Sequence, residues 1–323
     1  MDARFSRELR RQAALTFVFG AYGLTFYLGV DAWREQDQFF VERDPQLSYP
    51  ANPSTVPTSS LAVTSVVVPL AVILSSALWR YRVALDGASP AVPAVVEERA
   101  RSAALRVLAL ESLGFAQCIL LAVGTYNAGK CFVGRLRPNF FAACDYKGYA
   151  TALATGNFTA YLAATVPGAV GDRSHCLAPE SESDEASLSF PSGHAAIAFA
   201  GMTSLSFVLH DLMRATPSSL GVPSGSGGAD GVPRPVTWRG AVACVPMAFA
   251  AYVAATRIVD YKHRPADVLA GAAVGAAFAA GCRPRGLAQW WSVLTQEERP
   301  EASAEEMAAM RREEDAHWSD AGA

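Results

Sequence analysis

Charge is scarce in this sequence. Asp, Glu, Lys and Arg make up 18% of its 323 residues, against 51% hydrophobic ones, and the net charge is −3. Lysine occurs only at Lys130, Lys147 and Lys262. That balance does not suggest nucleic-acid binding, which calls for a concentrated basic patch. It is also too little charge for an ordinary soluble domain, and it clusters between apolar blocks. No cysteine spacing resembles a zinc site; Cys118, Cys131, Cys244 and Cys282 lie in or beside apolar blocks and read as small fillers. A signal-peptide cleavage site is lacking as well. The first apolar block follows an Arg-rich start and is about as long as a full span, so it is expected to be a retained helix. No internal repeat is visible.

What is present is apolar, in six segments long enough to cross a bilayer: Ala13 to Trp33, Ser60 to Trp79, Val107 to Asn127, Ala195 to Leu212, Gly240 to Thr256 and Ala266 to Cys282. The sixth is nearly all Ala and Gly, with Gly271 and Gly275 spaced for close helix packing. The expected fold is all-α, an integral membrane six-helix bundle over residues 13–285. Residues 1–12 form a cytosolic segment before it and 286–323 a charged cytosolic tail after it. Thr216 to Pro235, rich in Gly, Ser and Pro, reads as a flexible cytosolic linker within the bundle.

Arginine placement orients the chain. Arg4, Arg7, Arg10 and Arg11 precede the first segment, Arg80, Arg82, Arg99 and Arg101 flank the second connection, and Arg283 and Arg285 follow the last. The positive-inside rule then puts both termini in the cytosol, with the first, third and fifth connections facing the exterior or a lumen. The third connection, Asn139 to Leu188, is long enough to form a cap between helices 3 and 4. It carries the sequon Asn157-Phe158-Thr159, a glycosylation site on that side of the membrane. It also holds Cys144 and Cys176, expected to pair as a disulfide in an oxidising compartment, the alternative being two free thiols.

Three stretches carry chemistry. KCFVGRLRP places Lys130, Arg135 and Arg137 at the outer end of the third segment, where the positive-inside rule disfavours cations; the bland alternative is snorkelling to lipid headgroups. SFPSGH, Ser189 to His194, offers the Ser192 and Gly193 N–H groups at a helix start, an anion-binding arrangement, although Pro-Ser-Gly alone is only a turn. TRIVDYKHRPAD gathers Arg257, Lys262, His263, Arg264 and Asp267 in a polar gap, which in isolation could be a basic membrane-boundary loop. If the chain turns helical after Pro265, Asp267 falls four residues beyond His263, within reach of its imidazole. Counting crossings brings all three stretches to one outer face, which chance explains poorly.

The pattern Lys-x6-Arg-Pro, Pro-Ser-Gly-His and Arg-x5-His-x3-Asp resembles the three signature motifs of the type 2 phosphatidic acid phosphatase superfamily. GRLRP, SFPSGH, DYKH and DVLAG are most similar to its eukaryotic lipid phosphate phosphatases, and FFVERDPQLSYP, Phe39 to Pro50, resembles their first luminal loop. Thr256 departs from the Ser usual before the Arg, with a hydroxyl still expected to donate to phosphate.

The resemblance implies a phosphatase for lipid phosphate monoesters: phosphatidic acid, lysophosphatidic acid, sphingosine 1-phosphate or ceramide 1-phosphate. His263 would be the nucleophile, Asp267 its orienting carboxylate, and His194 the acid for the leaving alkoxide. Lys130, Arg137, Ser192, Gly193 and Arg257 would hold the phosphoryl oxygens. The cations stand where other phosphatases use metal, so no cofactor is expected. Expected partners are the lipid substrate and membrane lipids, in a plasma membrane or endomembrane, and a homo-oligomer is compatible with all of this. The rival readings are a catalytically silent lipid-phosphate- or partner-binding relative, a polyprenyl diphosphate phosphatase, and a transporter. The transporter is disfavoured because mid-membrane ionisable residues are missing from several helices. Vanadium haloperoxidases share the motifs, but six spans disfavour a soluble oxidase.

Overall fold

The apolar segments become helices because every backbone N–H and C=O inside a bilayer has to be satisfied within its own segment. A computed structural model describes residues 3–29, 39–86, 94–215 and 238–284. The first helix, α1, spans Ala3–Gly29. A continuous helical rod follows, made of α2 (Thr58–Ala62), a π-helical turn (Val63–Val67) and α3 (Val68–Asp86). The long α4 covers Ala94–Val133. Four short helices follow α4: α5 (Phe140–Ala143), α6 (Tyr149–Thr155), α7 (Thr159–Ala164) and α8 (Glu180–Ala186). The chain then forms α9 (Gly193–Ala215), α10 (Trp238–Val259) and α11 (Pro265–Cys282). Among the described residues there is no strand, only the isolated bridges Val41–Val170 and Tyr146–Cys176.

The fold is thus all-α and integral to a membrane. Among the described residues, five helical stretches are long and apolar enough to cross: Thr58–Val83, Glu97–Val133, Gly193–Met213, Gly240–Val259 and Pro265–Cys282. They contain the second to sixth expected spans. The first expected span begins inside α1, but its last residues, like the linker and the whole tail, lie outside the described residues.

Contacts fix the helix directions. The Gln117 side chain on α4 donates to Gln12 and Thr16 of α1, and Tyr22 lies 3.4 Å from Thr125, so these two helices run the same way. Opposite to them, α9 sets Ser204 beside Cys118 and Pro191 against Gly129. Along α9, the rod runs parallel, with Ser65 at Gly201 and Ile73 at Val208, while α10 runs antiparallel, with Met247 at Thr203 and Ala254 near Ala195. Parallel to α9 lies α11: a Cβ on Gly271 would strike the Ser192 carbonyl and one on Gly275 the Ala196 carbonyl. Bare glycines let the two backbones touch, the packing that replaces hydrophobic drive in lipid. The ends of α1, α4 and α10 therefore meet the starts of the rod, α9 and α11 at one end of the bundle.

At that end sits the cap. Phe40, Phe140, Phe141, Tyr146, Tyr149 and Tyr161 form its core, with mostly edge-to-face ring pairs. The Cys144–Cys176 disulfide is formed, with Cα atoms 5.1 Å apart. The cap is broader than expected from a connection between helices 3 and 4 alone, because the first connection is built into it. Glu42 is buried there and accepts from Tyr146 (2.9 Å), Lys147 (2.6 Å) and the Val166 N–H (2.7 Å). Those donors outweigh burial and hold its carboxyl below the usual range. A separate unit, described over residues 77–86 and 94–107, comprises the end of α3 and the start of α4, where the Tyr81 hydroxyl donates to Glu97 at 3.2 Å.

Candidate active site

Three chain reversals at this end present the chemistry. The first is the exit of α4. Gly134, at φ 54°, takes the left-handed conformation that ends the helix and donates to the Lys130 carbonyl. Arg135 and Arg137 follow, with different fates. The Arg135 guanidinium reaches Asp267 at 2.9 Å, so it is committed to structure. Arg137 lies buried, with one Nη on Glu185 at 2.8 Å and its Nε without a partner among the described residues.

The second reversal leads into α9. Ser192 caps that helix, its hydroxyl accepting from the Ala195 N–H at 3.4 Å. Its own N–H is already given to the Asp267 carbonyl at 2.9 Å, so that N–H is not free for an anion as expected. Gly193 packs where a Cβ would come within 3.0 Å of the Tyr126 ring. The His194 ring lies beside the Val56 backbone, within electrostatic reach of Arg257, Arg137 and Lys130. Its Nε2 is buried with no partner among the described residues. A buried donor or acceptor left unpaired costs free energy, and a ligand oxygen would satisfy it.

The third reversal joins α10 to α11. Tyr261, at φ 55°, turns the chain so that the Lys262 and His263 N–H groups both return to the Arg257 carbonyl. The strained turn is backed by Tyr49 of the first connection, stacked on Tyr261 at 4.7 Å. Arg257 is almost wholly buried. It pairs with Asp260 at 2.6 Å and reaches the Ser54 hydroxyl at 3.3 Å. Asp260 also accepts from Thr55 through N–H and hydroxyl. The Thr256 hydroxyl donates to the Val253 carbonyl at 2.7 Å, one turn back, rather than outward to a phosphate as expected.

The largest departure concerns Asp267, whose carboxylate does not touch His263. One oxygen takes the Arg135 guanidinium, and the other accepts from the Ser189 hydroxyl at 2.6 Å and the Arg264 N–H at 2.9 Å. His263 precedes the helix, whose first residue is Pro265, so helical i, i+4 spacing does not apply. At the third helical position, Asp267 folds back to cap the N-terminus instead. The imidazole is held by Ser189, whose backbone carbonyl lies 2.7 Å from Nδ1. A carbonyl only accepts, so Nδ1 carries the proton and Nε2 keeps the lone pair. Burial, then the nearby Arg137 and Lys130, push the His263 pKa well below its ordinary 6.5. At neutral pH the ring is an uncharged base whose Nε2 has no hydrogen-bond partner among the described residues.

Residues from all three stretches thus converge: Lys130, Arg137, His194, Arg257 and His263 act on one another electrostatically. Lys262 belongs to the same group, its ammonium pKa lowered by burial and then by Arg137. Ser189, Arg135 and Glu185 were not assigned roles from sequence. Ser189 is reached through a backbone atom, which leaves no side-chain signal, whereas the cationic Arg135 lay in a stretch already singled out. Asn157 is exposed on the cap, with its side-chain oxygen accepting from the Thr159 N–H.

A lipid phosphate phosphatase 1 of Arabidopsis thaliana is 27% identical over 236 residues, 73% of this chain and 56% of that one. A PA-phosphatase related-family protein of Dictyostelium discoideum is 25% identical over 245 residues, 76% of this chain. The chain spans 61% of the length of that relative. Phospholipid phosphatase 2 of Homo sapiens is 28% identical over 279 residues, covering 83% of this chain and 75% of its own. No solved structure matches. The family model of the PAP2 superfamily matches residues 111–291, more than half of the chain and all three motif stretches, and the chain belongs to that superfamily.

Proposed function

We propose that the protein is a lipid phosphate phosphohydrolase. Its substrates are phosphatidic acid and related monoesters: lysophosphatidic acid, sphingosine 1-phosphate and ceramide 1-phosphate. One observation carries the reading: a neutral His263, with Nε2 free, stands among Lys130, Arg137, Arg257 and Lys262, with His194 beside it. Such a cluster matches a dianionic phosphate next to a nucleophile.

In the first step the Nε2 lone pair of His263 attacks phosphorus, and the bond from phosphorus to the lipid oxygen breaks. The proton on His194 Nε2 goes to that oxygen, which leaves as the lipid alcohol. In the second step His194 takes a proton from water, the water oxygen attacks phosphorus, and the P–N bond breaks to release phosphate. Lys130, Arg137 and Arg257 neutralise the equatorial oxygens throughout, aided by Ser192 and the Gly193 N–H. Asp267 orients the nucleophile indirectly, by fixing Ser189 and the start of α11.

The site faces the exterior or a lumen, in a plasma membrane or endomembrane, with six crossings and both termini cytosolic. The same direction of α1 and α4 supports this count. Asn157 carries glycan on that face, and a deglycosylation shift that survives Asn157→Gln argues against the site. The test of function is phosphate release from a panel of lipid monophosphates and a polyprenyl diphosphate, in excess chelator. Turnover of the monophosphates is expected. No release from any substrate favours a silent binding relative, and loss of release on chelation overturns the metal-independent scheme.

A further inference from the structure

Arg137 already holds an anion, and that anion is placed to let go. Its Nη1 lies 2.8 Å from the Glu185 carboxylate, yet the two ends of the pair differ in setting: the Arg137 side chain is 8% exposed and that of Glu185 68%. The Arg137 N–H donates to the Ala186 carbonyl at 2.8 Å, so the backbone carrying Glu185 is pinned beside the guanidinium. The carboxylate itself faces outward, and Arg137 is its one hydrogen-bond partner among the described residues. Lys262 and Lys130 act on it too; with Arg137 first among them, they hold its carboxyl below the ordinary range. Glu185 is therefore a fixed negative charge at neutral pH, set among the cations that surround His263.

We propose that Glu185 is a displaceable internal anion that sets which phosphates gain access to Arg137. The proposal rests on the phosphate-binding role given to Arg137 above. In the resting protein the carboxylate occupies the guanidinium, and a bound phosphate takes its place. A terminal phosphate brings nearly two charges and three oxygens, enough to displace a single exposed carboxylate. A phosphodiester headgroup brings one charge and two free oxygens and competes poorly. A membrane surface is crowded with such diesters, so Glu185 keeps the site clear for monoesters at the expense of some affinity.

The experiment measures binding of inorganic phosphate and of dimethyl phosphate to the full-length protein in detergent, by calorimetry, for wild type, Glu185→Gln and Glu185→Asp. Breaking an exposed ion pair of this kind shifts affinity by about two- to five-fold. Glu185→Gln is expected to tighten inorganic phosphate by that factor and to gain measurable affinity for dimethyl phosphate. The shorter Asp keeps the charge but does not reach Arg137, so it should follow Gln. If Asp behaves as wild type while Gln tightens binding, the effect is through-space charge, and displacement is overturned. Weaker phosphate binding in Glu185→Gln overturns it as well, because Glu185 then supports Arg137. Turnover is scored separately: a protein that shows the expected binding shifts but hydrolyses no lipid phosphate overturns the hydrolase reading and leaves the displacement standing.

Discussion

The Nδ1 of His263 donates to the backbone carbonyl of Ser189 across 2.7 Å, and the Ser189 hydroxyl in turn donates to Asp267. The carboxylate thus acts on the imidazole through one intervening residue. Ser189→Ala keeps the carbonyl and removes the hydroxyl that steadies it. A hydrogen bond to a charged acceptor contributes about 1.5–3 kcal/mol, so kcat should fall roughly 10- to 100-fold with KM little changed. Ser189→Thr should restore most of the rate. A rise in KM with normal kcat would show that Ser189 serves binding rather than the nucleophile.

The depressed pKa of His263 has a definite sign. The folded protein leaves this ring unprotonated while the unfolded chain takes up a proton near pH 6.5, so the unfolded state binds more protons as pH falls. Stability from this group is full above 6.5 and is lost as pH falls from there through the folded value. The midpoint of thermal unfolding should decline over that window, and less steeply in His263→Gln. In the proposed scheme the same shift keeps His263 able to attack, so phosphoenzyme formation should persist below pH 6.5, after allowance for the substrate's own ionisation. An acid limb centred on 6.5 would contradict the assignment.

The two histidines separate chemically. An aryl phosphate has a leaving oxygen that scarcely needs a proton, so His194→Ala should still accept phosphoryl from it and accumulate a slowly hydrolysed phosphoenzyme. His263→Ala should form none with any substrate. The adduct should be acid-labile and base-stable, as phosphorus on nitrogen is. Label trapped on His194 in the His263→Ala protein reverses the two roles.

Much of this was legible in sequence because membrane folding leaves few choices. Apolar runs mark the helices, alternation of crossings brings their ends together, and the cations of the motif stretches converge there. What escaped reading lies where local geometry or backbone atoms decide. Asp267 was paired with His263 by helical spacing, but Pro265 starts the helix after the histidine and turns Asp267 into its cap. Thr256 sits one turn from the Val253 carbonyl inside α10, and a helical hydroxyl takes that local acceptor before any ligand. The first connection joined the cap through Glu42, whose three donors come from residues about 100 positions or more away. No local pattern announces such a partner.

Arg137 and Arg257 should fail in different ways, although both hold phosphate in the proposed scheme. Each →Ala change removes a charge-assisted contact contributing on the order of 2–4 kcal/mol in the transition state, so turnover should fall about 30- to 1000-fold in both. Their partners in the fold are unlike. Glu185 is exposed, and losing Arg137 returns it to water at little cost. Asp260 is buried, with 5% of its side chain exposed, and losing Arg257 leaves Thr55 as its one hydrogen-bonding partner among the described residues, with Lys262 acting on it at longer range. Removing one partner of a buried ion pair costs about 3–5 kcal/mol. Arg257→Ala should therefore unfold at markedly lower temperature, while Arg137→Ala stays near wild type. Adding Asp260→Asn to Arg257→Ala removes the orphaned charge and should recover part of the stability without recovering turnover. Equal thermal midpoints for the two single variants would mean that Asp260 finds other compensation, and recovered turnover in the double variant would remove Arg257 from the phosphate site.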